Sequence, residues 1–313
     1  MFLALISAVL LPLLPISLPQ GPKKSDRDRG DLAGPVRVVR TEDAIFGGRP
    51  GHCSQDPKRL VKLTTYDPQG SLEEYTDYNL DGSIHSKVSF GRDRDGNKIE
   101  EAYYDGKGHL YRKRFFRPGP DDRLIREESY GPRGSLVART LPSYNETGIL
   151  GQLDTYDSGG ILTHTRVYDE AGNLTEDSHY ENGHLSVRSV GSYDTNGNKL
   201  EESHYKADGA LYSYSLMDPA KIIYSYDSAG RLSQQILYSG DGSVSWRINY
   251  AFDSKGNLSE QWQYRLGNFL TSHRTYGYDL DSAGNWTKQT ISEEISETCS
   301  HPMEIIYRTI TYY

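Results

Sequence analysis

Tyr66-Asp67-Pro68-Gln69-Gly70-Ser71-Leu72 and Tyr168-Asp169-Glu170-Ala171-Gly172-Asn173-Leu174 state one pattern: an aromatic, an acid, two turn residues, a glycine, a polar residue and an aliphatic. Asp and Asn side chains cap tight turns, and Gly supplies the positive φ that such turns need. Between the turns lie runs such as Leu174 to Tyr180, rich in Thr, Ser, Tyr and aliphatics and without helical spacing. Turn signals at 12 to 14 residues, separated by short runs of this kind, read as antiparallel strands in a meander.

The pattern is periodic. Tyr78, Tyr104, Tyr130 and Tyr156 are each 26 residues apart, as are Tyr224, Tyr250 and Tyr276. Gly82, Gly108, Gly134 and Gly160 follow the first four tyrosines by four residues, and Gly230 and Gly256 keep the step later in the chain. A fixed period means one supersecondary unit stacked many times. Two turns per period make 26 residues one up-and-down strand pair, which sets the tyrosines two strands apart in a ladder. In the Gly-Asn-Lys-Ile and Gly-Asn-Lys-Leu turns at 96–99 and 197–200 an extra residue shifts the parity, which suggests bulges.

The fold expected is therefore all-β, a long antiparallel meander of repeated hairpins with about 17–18 strands. A sheet of more than about ten strands curls or closes, so a spiral or barrel-like form is expected. Residues 35–66 read as an opening hairpin and 286–312 as a closing one, within a repeat domain of residues 34–313.

Composition agrees with an extended, wetted sheet. Hydrophobic residues make up 35%, mean hydropathy is −0.69, and 25 Tyr stand against seven Phe. The net charge of −8 argues against nucleic acid, which requires clustered Lys and Arg. Phe2 to Leu18 is apolar but broken by Pro12 and Pro15, which reads as a signal peptide over residues 1–20 followed by a flexible linker over 21–33. No Lys or Arg precedes the run and no A-x-A-like site follows it. The rival reading, an uncleaved anchor, needs about 20 apolar residues, and no stable membrane span is expected after signal removal. Secretion, the periplasm or the cell surface is the expected location. Cys53 and Cys299 flank the array. They read either as a disulfide tying its two ends or as two separate thiols.

At Tyr224-Ser-Tyr226-Asp-Ser-Ala-Gly230-Arg-Leu232 the chain resembles the YD repeat of bacterial Rhs proteins and teneurins, again at Tyr250-Ala-Phe252-Asp-Ser-Lys-Gly256-Asn-Leu258 and at Tyr276-Gly-Tyr278-Asp. The resemblance covers roughly residues 60 to 290. It implies a β-sheet wound into a shell, in an exported or displayed protein, with adhesion, glycan contact or encapsulation as its roles. Rhs toxins carry a terminal toxin domain behind an aspartyl self-cleavage motif, which Met217-Asp218-Pro219 alone does not supply.

No catalytic residues, metal ligands or cofactors are expected. Glu73-Glu74, Glu100-Glu101 and Glu127-Glu128 recur at steps of 27, which suits solvated strand faces better than a glycosidase pair. Asp93 to Asn97 and Asp279 to Asp281 resemble calcium-loop fragments, but turn chemistry accounts for them. His164, His179, His204 and His273 fall in strands without the sequence spacing of a zinc site. The sequons at Asn145, Asn173, Asn257 and Asn285 arise mostly from the repeat's own turns. A hydrolase would need one site that breaks the repeat, and Leu211 to Ile223 is the irregular stretch.

Function is expected on aromatic faces that stack on sugar rings. Ligand contacts are anticipated at Tyr224, Tyr226, Tyr250, Tyr276, Tyr278, Trp246, Trp262 and Trp286. The ladder Tyr78, Tyr104, Tyr130 and Tyr156 reads first as filling the buried side of the sheet. The reading reached is an exported, non-enzymatic repeat protein whose partner is a polysaccharide or a surface protein. The alternative is a structural shell that holds a partner polypeptide.

Overall fold

The computed structural model describes residues 25–49, 52–119, 121, 123–213, 219–294 and 303–313. They form one antiparallel sheet of 21 strands. Most hairpins are built as the sequence dictates. In the first, the Asp67 N–H donates to the Ser71 carbonyl at 2.9 Å and the Gly70 N–H donates to the Asp67 carbonyl at 2.9 Å. The Asp67 carboxylate accepts from the Ser71 N–H at 2.8 Å. Gly70, at φ 85°, occupies the left-handed region that closes the turn. The same bonds return at Asp157, Asp169, Asp194 and Asp227, so the acid of each repeat is spent on backbone amides.

This turn places one extra residue on the strand that leaves it, and the register shifts beside nearly every hairpin. Tyr66 then faces Leu72, Tyr78 faces Ile84, Tyr130 faces Leu136 and Tyr226 faces Leu232. The bulge expected at two turns is thus the rule. In the first hairpin the extra residue is Glu73, which lies between Leu72, opposite Tyr66, and Glu74, opposite Thr65.

The sheet closes. Val36–Arg49 pairs with Arg59–Tyr66 on one side and with the last strand, Glu304–Tyr312, on the other. Only the short His52–Gln55 lies outside the ring, paired to residues 46–49 of the first strand. Twenty strands remain in the barrel, against the 17–18 expected. The turn rhythm accounts for the strands from Arg59–Tyr66 to Trp286–Glu293. The other two strands of the ring, Val36–Arg49 and Glu304–Tyr312, are the outer arms of the opening and closing hairpins expected at residues 35–66 and 286–312.

At ~4.8 Å per strand, twenty strands give a circumference of about 96 Å and a round ring ~30 Å across. Opposite walls collapsed into a sandwich would share a continuous core about 10 Å thick. Among the described residues, the hydrophobic cluster is small and confined to the closing seam: Leu32, Val36, Val39 and Tyr66, with Leu72, Ile310 and Tyr312 against them. No continuous core of that kind joins opposite walls among the described residues, so the walls stand apart.

The stretch expected as a flexible linker is docked on this seam from residue 25 onward. Asp26–Arg29 forms one helical turn closed by a Ser25/Asp28 capping box. The Arg27 N–H donates to the Gly70 carbonyl at 2.9 Å, and the Asp26 carboxylate accepts from the Leu72 N–H at 2.9 Å and from Arg92 at 2.6 Å. Asn285 holds both backbone groups of Ala33, at 2.7 and 2.8 Å. The polar composition of 20–30 concealed the burial of Leu32 and Val36 just beyond it. Residues 1–24, which include the expected signal peptide, lie outside the described residues. So does Cys299, and with it the expected pairing to Cys53.

Candidate ligand-contact face

Directly opposed residues of neighbouring strands project to the same side of a sheet. Tyr224 opposes Gln235, Gln235 opposes Ile248, and Ile248 opposes Gln263. In the next rows Leu237 opposes Trp246, Tyr250 opposes Gln261, Tyr276 opposes Ile291 and Tyr278 opposes Gln289. Five of the expected contact residues, Tyr224, Trp246, Tyr250, Tyr276 and Tyr278, are thus brought onto one face, interleaved with glutamines.

The glutamines orient the rings. The Tyr250 hydroxyl donates to Gln235 Oε1 at 2.7 Å, the Tyr276 hydroxyl donates to Gln261 Oε1 at 2.8 Å, and Gln289 Nε2 donates to the Tyr278 hydroxyl at 2.9 Å. Burial pushes the Tyr250 phenol up to about 12 and raises those of Tyr224 and Tyr276. These phenols stay neutral donors at any physiological pH. Around them lie Ile222, Ile248 and Ile291, with Arg274 and Glu293 opposed at one margin.

The other expected contacts are elsewhere. Tyr226 ends its strand at the rim, where its hydroxyl donates to the Lys199 carbonyl at 2.8 Å. Tyr144 and Tyr193 make the equivalent bond to Leu124 and Leu174, both at 2.7 Å. Trp262 is on the opposite face, stacked on His273 with centroids 5.1 Å apart and planes at 8°. Trp286 is covered by the Arg308 guanidinium, 3.5 Å from the ring centre. Burial pushes that guanidinium down to about 10. Tyr104, Tyr130 and Tyr156 stand opposite Lys87, Lys113 and Arg139, and Tyr78 closes its hairpin against Ile84. All four are half-buried.

The acidic pairs correct an expectation. Glu101, Glu127 and Glu128 are only 5%, 8% and 4% exposed, so they are not solvated faces. Arg114 bridges Glu101 at 2.9 Å and Glu127 at 2.7 Å, Lys98 reaches Glu101 at 2.6 Å, and the Tyr103 hydroxyl donates to Glu101 at 2.6 Å. Burial works against the Glu101 charge, but Lys98 and Arg114 outweigh it and hold the carboxyl below its usual range. The reverse side carries pairs of its own, Lys87 with Glu74 at 2.6 Å and Lys113 with Glu100 at 2.8 Å. Over these strands, charges at mid-strand interrupt both sides of the sheet. Among the described residues no helix is long and apolar enough to cross a membrane.

Asp93 and Asp281 are turn caps, each accepting from an amide four residues on at 2.8 and 2.9 Å. Of the sequon asparagines, Asn285 is 3% exposed and bound to Ala33 and Tyr312. The irregular stretch enters the sheet through a bridge between Tyr205 and Leu211 and resumes at Lys221–Tyr226; residues 214–218 lie outside the described residues.

One grouping escaped the sequence reading. His164 and His179 are directly opposed across the Asp169–Asn173 turn, with rings stacked 4.3 Å apart at 11°. Asp177 binds His164 Nε2 and lies 3.4 Å from His179 Nε2. Distance along the chain hides such a pair, and so does counting outward from the turn, because the bulge that skips Thr175 between Tyr168–Leu174 and Val167–Glu176 moves the register by one residue.

No protein-family model and no curated protein matches the chain. Among solved structures, a porin-like protein from Bacteroides uniformis is 12% identical, covering 89% of this chain and 99% of its own, at a TM-score of 0.37. A porin-like protein from Bacteroides vulgatus is 11% identical over 89% of this chain and 99% of its own, at a TM-score of 0.28. The Photorhabdus luminescens Tc holotoxin pore is 11% identical over 79% of this chain and 20% of its own, at a TM-score of 0.15. Likenesses of this size carry no statement about activity, and the functional reading rests on the chain's own residues.

Proposed function

We propose that the chain is an exported, non-enzymatic repeat barrel, akin to YD-repeat proteins, that binds a polysaccharide on the face carrying Tyr224, Trp246, Tyr250, Tyr276 and Tyr278. The observation that carries this reading is their common side of the sheet, with glutamines fixing the rings. Sugars present apolar C–H faces ringed by hydroxyls. Aromatic planes set among carboxamides match that pattern, and rings already oriented lose little entropy on binding. Repetition across strands favours a chain ligand over a single sugar, through many weak contacts in parallel.

The test is intrinsic fluorescence of the protein titrated with cell-wall and extracellular polysaccharide fragments. A saturable change is expected, weakened by Tyr224→Ala and Tyr276→Ala at an unaltered melting temperature. A response that survives both substitutions would sink the assignment of the face. A second reading, a shell that holds a partner polypeptide, is favoured by the closed ring and its separated walls. Silence across the whole glycan panel would move the reading there.

A further inference from the structure

We propose that His164, His179 and Asp177 form a binding site for a borderline divalent metal ion, of which Zn(II) is the probe. One ligand atom from each residue lies within 4.8 Å of the others. Two imidazoles and one carboxylate are a donor set that divalent zinc, nickel and copper take, with a position left for water.

The fold supplies the convergence. His164 and His179 are cross-strand partners on Leu162–Tyr168 and Leu174–Glu181, so a rigid hairpin holds both rings on one face. Asp177 is two residues from His179 on the same strand, hence on the same face, and contacts both rings. The cluster is open to an incoming ion, since the His179 side chain is 55% exposed while those of His164 and Asp177 are 23% and 26% exposed.

Charged and titratable neighbours on that face define the competition. Arg166 opposes Asp177 and attracts its carboxylate. His204 opposes Ser189 on the strands beyond, where its Nδ1 lies 2.7 Å from the Ser189 hydroxyl and its Nε2 3.6 Å from Glu202. His204 is therefore engaged apart from the cluster and serves as the internal control.

The experiment is calorimetric titration of the full chain with Zn(II) in a non-chelating buffer. One equivalent is expected to bind. Affinity should fall at least about tenfold in His164→Gln, His179→Gln and Asp177→Asn, remain in His204→Gln, and rise in Arg166→Gln. Absence of binding, or binding undiminished in both His164→Gln and His179→Gln, overturns the proposal. A second measurement needs no variant. Carbethoxylation of the unaltered protein, mapped by mass spectrometry, should be suppressed by Zn(II) at His164 and His179 and unaffected at His204. Equal labelling of the pair with and without the ion also overturns it.

Discussion

At the scale of the residue, the most exposed dependency is Arg114. Its guanidinium lies between two carboxylates almost out of water. Burial alone would lower its affinity for the proton, but Glu127 and Glu101 reverse that and raise it. Removing one partner of a buried network costs more than the network contributes, because a charge remains without compensation. Arg114→Met is expected to lose about 3–5 kcal/mol at pH 7 in urea unfolding. The pH dependence has a definite sign. Glu101 is held below 4.5, so its ionised contribution is complete above that pH and is lost as pH falls through the lower folded value. In the variant, protonation relieves the unpaired carboxylates, so the deficit should shrink below about pH 4. A deficit that grows on acidification would contradict the network.

At the scale of the element, the hairpin unit was legible because its physics is local: the acid caps the turn amides and the glycine takes the left-handed corner. The period of 26 could be read for the same reason. The docked segment from Ser25 to Val36 was not legible, since its partners are a turn carbonyl at Gly70 and side chains at Arg92 and Asn285, far along the chain. Nor could pattern alone tell which tyrosines share a side, because every bulge resets the parity; cross-strand register alone separates Trp246 from Trp262. The docking rests heavily on Asp26. Asp26→Ala should release residues 25–33 to limited proteolysis several-fold faster while the barrel's melting temperature stays within a few degrees. An unchanged cleavage rate would show that the apolar seam alone secures the segment.

At the scale of the whole molecule, closure protects a sheet that otherwise presents two open edges. Deleting residues 304–313 would leave Val36–Arg49 and Trp286–Glu293 each without a neighbour on one side. Such a truncation should associate in a concentration-dependent way by light scattering, whereas the complete chain should not. A monomeric truncation would argue against the closed ring. The repeat told that the sheet must curl, and the joining strand pair, which lacks the repeat's glycine, decided how.

That joining pair also has a consequence in time. Nearly every contact in the barrel links residues a dozen or so positions apart, so hairpins can form as soon as they leave the ribosome or a translocation channel. Val36 instead meets Tyr312. Of the strands in the ring, the one nearest the N-terminus must wait for the one nearest the C-terminus, and until then an unfinished cylinder travels with both margins bare. Those margins, and not any single hairpin, are where the unfinished sheet is open to pairing with another chain.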